Sequence, residues 1–250
     1  MNLDSASLLS QEEKEFYWEK GYLLTEKKLF AQPKFSTLYT IFEEYLENYG
    51  ANAEQLDTPH FNDSRLFDYL LADEVLDVIE EIIGPNIGLW SSHFICKQPK
   101  IGKRTPWHED SAYWKGRFDK FDGVVTLWLA IDESTIENGC MGVLPESHKN
   151  GFSEYKILDK NSATFEEEIS TKINEEDIVW FELPRNTYSL HDSRIIHGAN
   201  ANTSDKRRTG YTMRYFNTDL KLNPDHPGNK THKTYHCRGD NRGNNPLIYL

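Results

Sequence analysis

Three segments of this 250-residue chain carry side chains that could do chemistry together. Thr105-Pro-Trp-His-Glu-Asp-Ser-Ala-Tyr-Trp114 holds His108 and Asp110 two residues apart, His197-Gly198 lies downstream, and the basic pair Arg207-Arg208 follows. A His-x-Asp with a distant His is the donor set of a 2-His-1-carboxylate site. Such a site grips Fe(II) by one face and leaves the remaining positions open for an organic acid and O₂. The free carboxylate of that acid would need a guanidinium, whose planar fork matches two oxygens. On an extended segment His108 and Asp110 share one face and Glu109 points away. A lone His-x-Asp is more often a surface pair. Its weight rises here because Trp107, Tyr113 and Trp114 would wall the site with apolar surface.

Strand alternation extends the constellation. In Thr187–His197 the residues His191, Ser193, Ile195 and His197 share parity, and in the last strand Arg208, Gly210, Thr212 and Arg214 do so. Two arginines facing a barrel interior would be expensive without an anion to meet them. The bland reading makes Arg207 and Arg208 solvated charges beside a turn. For Arg214 and His191 the options are an anionic group on a substrate or, more expected, an internal salt bridge. His226, His232, His236 and Cys237 fit no standard zinc spacing and read as solvated loop residues.

These side chains need a scaffold. Helical periodicity runs over Gln11–Lys20 after the N-cap candidate Ser10, over Phe35–Tyr49 before Gly50, and over Leu66–Ile83 before Gly84-Pro85. Beyond Pro85 the pattern turns to short β-rich runs: Ile87–Cys96, Val124–Ile131, Ile178–Phe181, Tyr188–Ile196 and Thr209–Phe216. Helices followed by strands predict an α+β chain, a sandwich or barrel backed by helices. There are no internal repeats. The segment from Asn217, rich in Asn, Gly and His, reads as a cover loop or semi-flexible end.

Bulk composition excludes several classes. A net charge of −12 disfavours nucleic acid as a partner and requires a local basic pocket for any anionic ligand. Mean hydropathy is low at −0.69, but 13% aromatic residues argue for a packed core. No run suggests a membrane span, and Met1–Ser10 lacks the pattern of a signal peptide. Cys96, Cys140 and Cys237, odd in number and widely spaced, fit a reduced, cytoplasmic protein. The three Asn-x-Ser/Thr matches then read as chance. Oligomeric state is not readable.

Taken in order, the motifs resemble the phytanoyl-CoA dioxygenase family of Fe(II)/2-oxoglutarate oxygenases. The resemblance runs through Trp107–Asp110, Val125–Asp132, Glu137–Lys149, Ser189–His191, His197–Ser204 and Arg207–Tyr215, with its strong part from Leu89 to Phe216. It implies a double-stranded β-helix (jelly-roll, cupin-like) core with N-terminal helices packed on it. One domain over 1–250 is expected: 1–85 helical support, 86–216 β-helix, 217–250 cover. It further implies iron ligation by His108, Asp110 and His197, and a clamp from Arg208 on the C5 carboxylate of 2-oxoglutarate. Trp128 would pack near that co-substrate and Thr126 would add a hydrogen bond. Tyr113, Trp114, His191 and Arg214 are the candidates for the substrate side. The reaction implied is O₂-dependent hydroxylation of an unactivated C–H of a small soluble metabolite, with release of succinate and CO₂.

Two departures stand out: Pro145-Glu-Ser-His148 replaces the usual Pro-Gly-Ser-His, and Ala199 stands where many relatives carry Ser. Halogenating relatives replace the ligand carboxylate with a small residue, so an intact Asp110 favours hydroxylation. The competing readings are a non-catalytic β-helix binding or sensing protein, and a metal-dependent hydrolase on the same ligands. Retention of all three ligands and Arg208 weighs against the first; Arg208 and the Trp128 segment weigh against the second.

Overall fold

A computed structural model describes residues 8–50, 56–159 and 162–250; most of the Met1–Ser10 segment lies outside them. The N-terminal support consists of α1 (Gln11–Lys20), β1 (Tyr22–Lys28), α2 (Gln32–Tyr49), α3 (Phe67–Leu70) and α4 (Asp73–Ile83). The core follows with β2 (Ile87–Lys97), β3 (Thr105–His108), α5 (Asp110–Tyr113), β4 (Val124–Ala130), β5 (Met141–Val143), β6 (Tyr155–Ile157) and β7 (Glu167–Ile169). It continues through β8 (Val179–Trp180), β9 (Thr187–Asp192), β10 (His197–Ala199), β11 (Arg208–Asn217), β12 (Thr234–Arg238) and β13 (Leu247–Ile248).

Local chemistry sets the first helix. Ser10 caps α1 through its side chain, Glu13 returns the bond to the Ser10 amide, and Gly21 ends it in the left-handed region at φ 84°. The expected single helix over Leu66–Ile83 is instead broken, with Ala72 extended between α3 and α4. At 100° per residue, Leu66 and Leu70 would lie about 150° around the axis from the Val75, Val78, Ile79 and Ile82 stripe. All six are buried. The break turns both sets inward, which one straight helix could not do.

The strands form a seven-stranded sheet, ordered β1-β9-β4-β11-β2-β12-β13, and a four-stranded sheet, β3-β10-β5-β8, with β6-β7 as a separate hairpin. This two-sheet arrangement is the jelly-roll of a double-stranded β-helix. The large sheet is held by long antiparallel ladders, β11 pairing with β2 from Arg208↔Lys97 to Asn217↔Ile87 and with β4 from Gly210↔Ala130 to Phe216↔Val124. Alternation gives its two faces different work. Val125, Leu127, Leu129, Tyr211, Met213 and Tyr215 join the buried residues of α2, α3 and α4 in one apolar cluster. Arg208, Thr212, Arg214 and Trp128 face the other way, onto a cavity between the sheets.

The expected strand over Tyr188–Ile196 also needs correcting. It ends at Asp192, whose carboxylate accepts from the Arg194 amide (2.9 Å) and pairs with the Arg194 guanidinium (2.7 Å). That side-chain turn carries the chain from the large sheet at His191 to the small one at His197. A second tight turn lies at Glu146, where φ is 67° in the position the family usually gives to Gly. The Glu146 amide donates to Lys20 O (2.9 Å), and Ser147 Oγ accepts from the Ile196 amide (2.8 Å), so the turn ties α1 to the approach of β10. The segment after Asn217 is ordered, and β12 and β13 extend the large sheet.

Candidate active site

His108 and His197 are directly paired residues of β3 and β10, with ring centroids 4.2 Å apart. Each is oriented by the carbonyl two residues before it: His108 Nδ1 lies 2.7 Å from Pro106 O, and His197 Nδ1 lies 3.0 Å from Ile195 O. A carbonyl only accepts, so Nδ1 must carry the hydrogen and Nε2 is left with a free lone pair. That is the tautomer a metal-binding imidazole needs.

Asp110 opens α5 two residues past the end of β3, and the Ser111 amide anchors this start to Ser193 O (2.9 Å). Asp110 Oδ1 sits 3.6 Å from His108 Nε2 and 3.9 Å from His197 Nε2. The other oxygen, Oδ2, accepts from Arg214 Nε at 2.9 Å. Burial opposes ionisation of this carboxyl, but the Arg214 guanidinium beside it holds Asp110 well below the usual carboxylate range. Burial keeps His197 neutral. Glu109 points away as alternation requires, taking hydrogen bonds from Ser153 and Tyr155.

One donor atom each from His108, Asp110 and His197 therefore converges within 4.8 Å, the only such triple among the described residues. Two imidazoles turned to present Nε2 and one ionised carboxylate oxygen fit a divalent metal of the Fe(II) type. The tail residues play other parts: His226 accepts from the Gly228 amide (3.1 Å) and His236 bonds Gly239 O (2.8 Å).

Arg208 is 2% exposed, and no acidic side chain among the described residues pairs with it. Its Nε has no hydrogen-bond partner, and its guanidinium lies 5.2 Å from the Trp128 ring. Desolvation pulls its pKa down to about 10, so it stays a cation at neutral pH. A side chain at Gly210 would collide with the Trp128 indole, which explains the Gly between Arg208 and Thr212. Arg207 points to the opposite face, paired with Glu43 (2.6 Å) and Asp132 (2.8 Å). Neither arginine is a solvated turn charge, and the sequence register of β11 holds.

The cavity, about 560 Å³, is lined by the three donors and by Arg208, Trp128, His191, Arg214, Tyr113 and Trp114. Tyr113 is 42% exposed, at the rim, with its ring 5.4 Å from His108. His191 reaches the cavity from β9 with Nδ1 unpartnered, its ring 5.1 Å from His197, and burial lowers its pKa to about 4. Arg214 answers the question its parity raised: it pairs with a carboxylate of the chain, and that carboxylate is Asp110. Thr126 shares the inward parity, but it is fully buried and does not line the cavity. Trp107 is not part of the wall either; it packs on Gly198 and Trp180, as the residue before an inward-facing His108 must. Sequence reasoning missed Trp90, Phe165, Arg117, His232 and the acidic Asp57, which also line the cavity. His232 belonged to the His-rich tail, and nothing local distinguishes Arg117.

Comparison with known proteins agrees with this geometry. The family model described as phytanoyl-CoA dioxygenase (PhyH) matches residues 20–210. The chain is similar to the phytanoyl-CoA dioxygenase domain-containing protein 1 homolog of Caenorhabditis elegans, 31% identical over 62% of this chain and 55% of that one. It is also similar to a probable alpha-ketoglutarate-dependent hypophosphite dioxygenase of Stutzerimonas stutzeri, 29% identical over 66% of this chain and 57% of the relative. These matches span little more than half the length of either relative. Among solved structures, the non-heme monooxygenase ThoJ superposes with a TM-score of 0.75 at 19% identity, covering 94% of this chain and 86% of that one.

Proposed function

The chain belongs to the phytanoyl-CoA dioxygenase family, and from that premise we propose that it is an Fe(II)- and 2-oxoglutarate-dependent oxygenase hydroxylating a small soluble metabolite. One observation carries the reading. Three metal-donor atoms converge in a cavity that also holds Arg208, a buried guanidinium with no acid partner among the described residues. An iron(II) held there beside 2-oxoglutarate would couple decarboxylation of the keto acid to succinate and CO₂ with O₂-driven oxidation of a substrate C–H bond.

The chain's own residues do the rest. His108 Nε2, His197 Nε2 and Asp110 Oδ1 supply one face of ligands; Arg214 holds Asp110 ionised and fixes which oxygen is presented. Arg208 binds the distal carboxylate of the co-substrate, and Trp128, stacked on it, keeps water from that ion pair. Tyr113, Trp114 and neutral His191 form the wall against which the substrate lies. The chain would work as one unit over 1–250, since β1 and β13 belong to the same sheet. Three free cysteines support a cytoplasmic setting, and no helix among the described residues is long and apolar enough to cross a membrane.

The test is succinate release from purified protein with Fe(II), ascorbate and 2-oxoglutarate, screened against small metabolites. Stimulation by a panel member, lost in Asp110→Ala, is expected. Metal-dependent hydrolysis without 2-oxoglutarate consumption would favour the hydrolase reading instead.

A further inference from the structure

The cavity has a second cation without an acid partner, and it lies away from the donor triad. Ring contacts mark the route outward from Asp110: Arg214 lies 5.5 Å from the Trp114 ring, Trp114 meets Trp90 edge-on at 5.8 Å, and the Arg117 guanidinium lies 4.4 Å from Trp90. Residues of the C-terminal segment fix Arg117. Its Nε donates to Asn229 Oδ1 (2.8 Å) and its Nη2 to Gly228 O (2.8 Å), which leaves Nη1 without a partner among the described residues. The Trp90 indole N–H beneath it is buried and also unpartnered.

Acidic residues outnumber basic ones 40 to 28 in this chain, so a cation without an acid needs a reason. Most of its arginines are ion-paired; among the described residues Arg117, Arg185 and Arg208 are the exceptions. Arg185 donates to Ile131 O and rests on Tyr39, away from the cavity. The other two line it. Arg208 has an occupant in the proposed function, and Arg117 does not. Desolvation, the one cause acting on Arg117, lowers its pKa and so disfavours its charge while the site holds no anion.

We propose that Arg117 is the receptor for an anionic group, carboxylate or phosphate, on the primary substrate, whose apolar body lies along Trp90 and Trp114 toward Asp110. This deepens the proposed function and rests on it, because it assigns the substrate's end of the same cavity. Nη1 supplies the charge-assisted hydrogen bond, and the indole and His232, whose Nε2 is already engaged by Trp90 O (2.7 Å), give that end its shape. The anion once sought at Arg214 is supplied there by Asp110, so Arg117 is the cation left to choose the substrate.

The experiment is calorimetric titration of the Fe(II)- and 2-oxoglutarate-loaded protein, kept free of O₂, with benzoate, phenyl phosphate and the neutral benzamide. Saturating 2-oxoglutarate blocks Arg208, so these probes read the outer site. One of the two anions should bind at least ~10-fold more tightly than benzamide, and which one does so tells carboxylate from phosphate. Arg117→Gln should erase that preference and Arg117→Lys should keep part of it. The visible absorption of the iron–2-oxoglutarate chelate should be unchanged in both variants, which also shows that they are folded. Equal binding of benzamide, an anion preference surviving in Arg117→Gln, or no anion binding at millimolar concentration would each overturn the proposal. A wild-type protein that never develops the chelate absorption would sink the oxygenase reading, while an anion preference kept in Arg208→Gln and lost in Arg117→Gln can still be read on metal-free protein.

Discussion

The two sheets contribute different chemistry by different means. The four-stranded sheet carries two of the candidate metal donors on strands of three or four residues and the third at the helix start behind β3, and its β3–β10 pairing is irregular. Its precision comes from side-chain bonds: two imidazoles pinned by carbonyls two residues back, and a carboxylate held by a guanidinium. The seven-stranded sheet carries the cations of β11 on long ladders, unbroken against β4 and shifted against β2 only past Arg214, and backed by an apolar helical layer. A rigid ladder can keep Arg208 buried without an acid; a short strand could not hold so costly a group. Metal binding should therefore be sensitive to single polar contacts, and the hold on the distal carboxylate of the co-substrate to Arg208 of β11.

The sharpest way to break this comparison is Asp110→Ala. It removes a ligand and strands Arg214, so Fe(II) or Ni(II) affinity should fall by more than ~100-fold, with turnover abolished. Retained metal stoichiometry in equilibrium dialysis would refute the donor set. Next comes Arg208→Ala, expected to raise the 2-oxoglutarate KM by at least ~30-fold, since truncating a buried charge pair costs about 2–5 kcal/mol. Arg207→Ala, one residue away on the helical face, should leave that KM within about twofold and lower stability by about 1 kcal/mol. Were Arg207 to have the larger kinetic effect, the β11 register would be off by one.

Arg214→Gln should separate the two sheets' roles further. Metal affinity is expected to drop ~10- to 100-fold, the size seen when a ligand loses its outer partner. 2-Oxoglutarate affinity at saturating metal should hardly move. The smallest effect concerns the back of the large sheet, where His60 Nδ1 lies 2.7 Å from Ser92 Oγ and burial lowers the His60 pKa to about 3. A depressed imidazole is neutral in the folded chain and titrates first in the unfolded one. Stability should thus fall as pH drops from about 6.5 toward 3, by about 2 kcal/mol between pH 7 and 5 from this group. Chemical unfolding of His60→Gln at both pH values should show a shallower loss; an unchanged slope would mean that His60 is not buried neutral.

The most regular parts of this architecture were the most legible. Strand alternation placed Arg208, Gly210, Thr212 and Arg214 on one face, because a long central strand keeps its period. The donor triad was legible from His-x-Asp and a distant His, though Asp110 reaches it from a helix start and not from the strand. What failed was local geometry set by partners: the corner where Asp192 binds Arg194, and the break at Ala72 that turns two apolar faces inward. Arg117 was illegible for another reason. Its orientation depends on Asn229, 112 residues away, and no local pattern encodes such a meeting.

The Arg214–Asp110 contact has a consequence for how the site fills. Within the cavity the Arg214 guanidinium cancels the one carboxylate of the donor set. A divalent cation arriving alone leaves this enclosed space two charges more positive, and a dianionic keto acid arriving alone leaves it two charges more negative. Arriving as a pair, they leave its electrostatic balance untouched. Each should therefore retain the other, and neither should dwell long by itself.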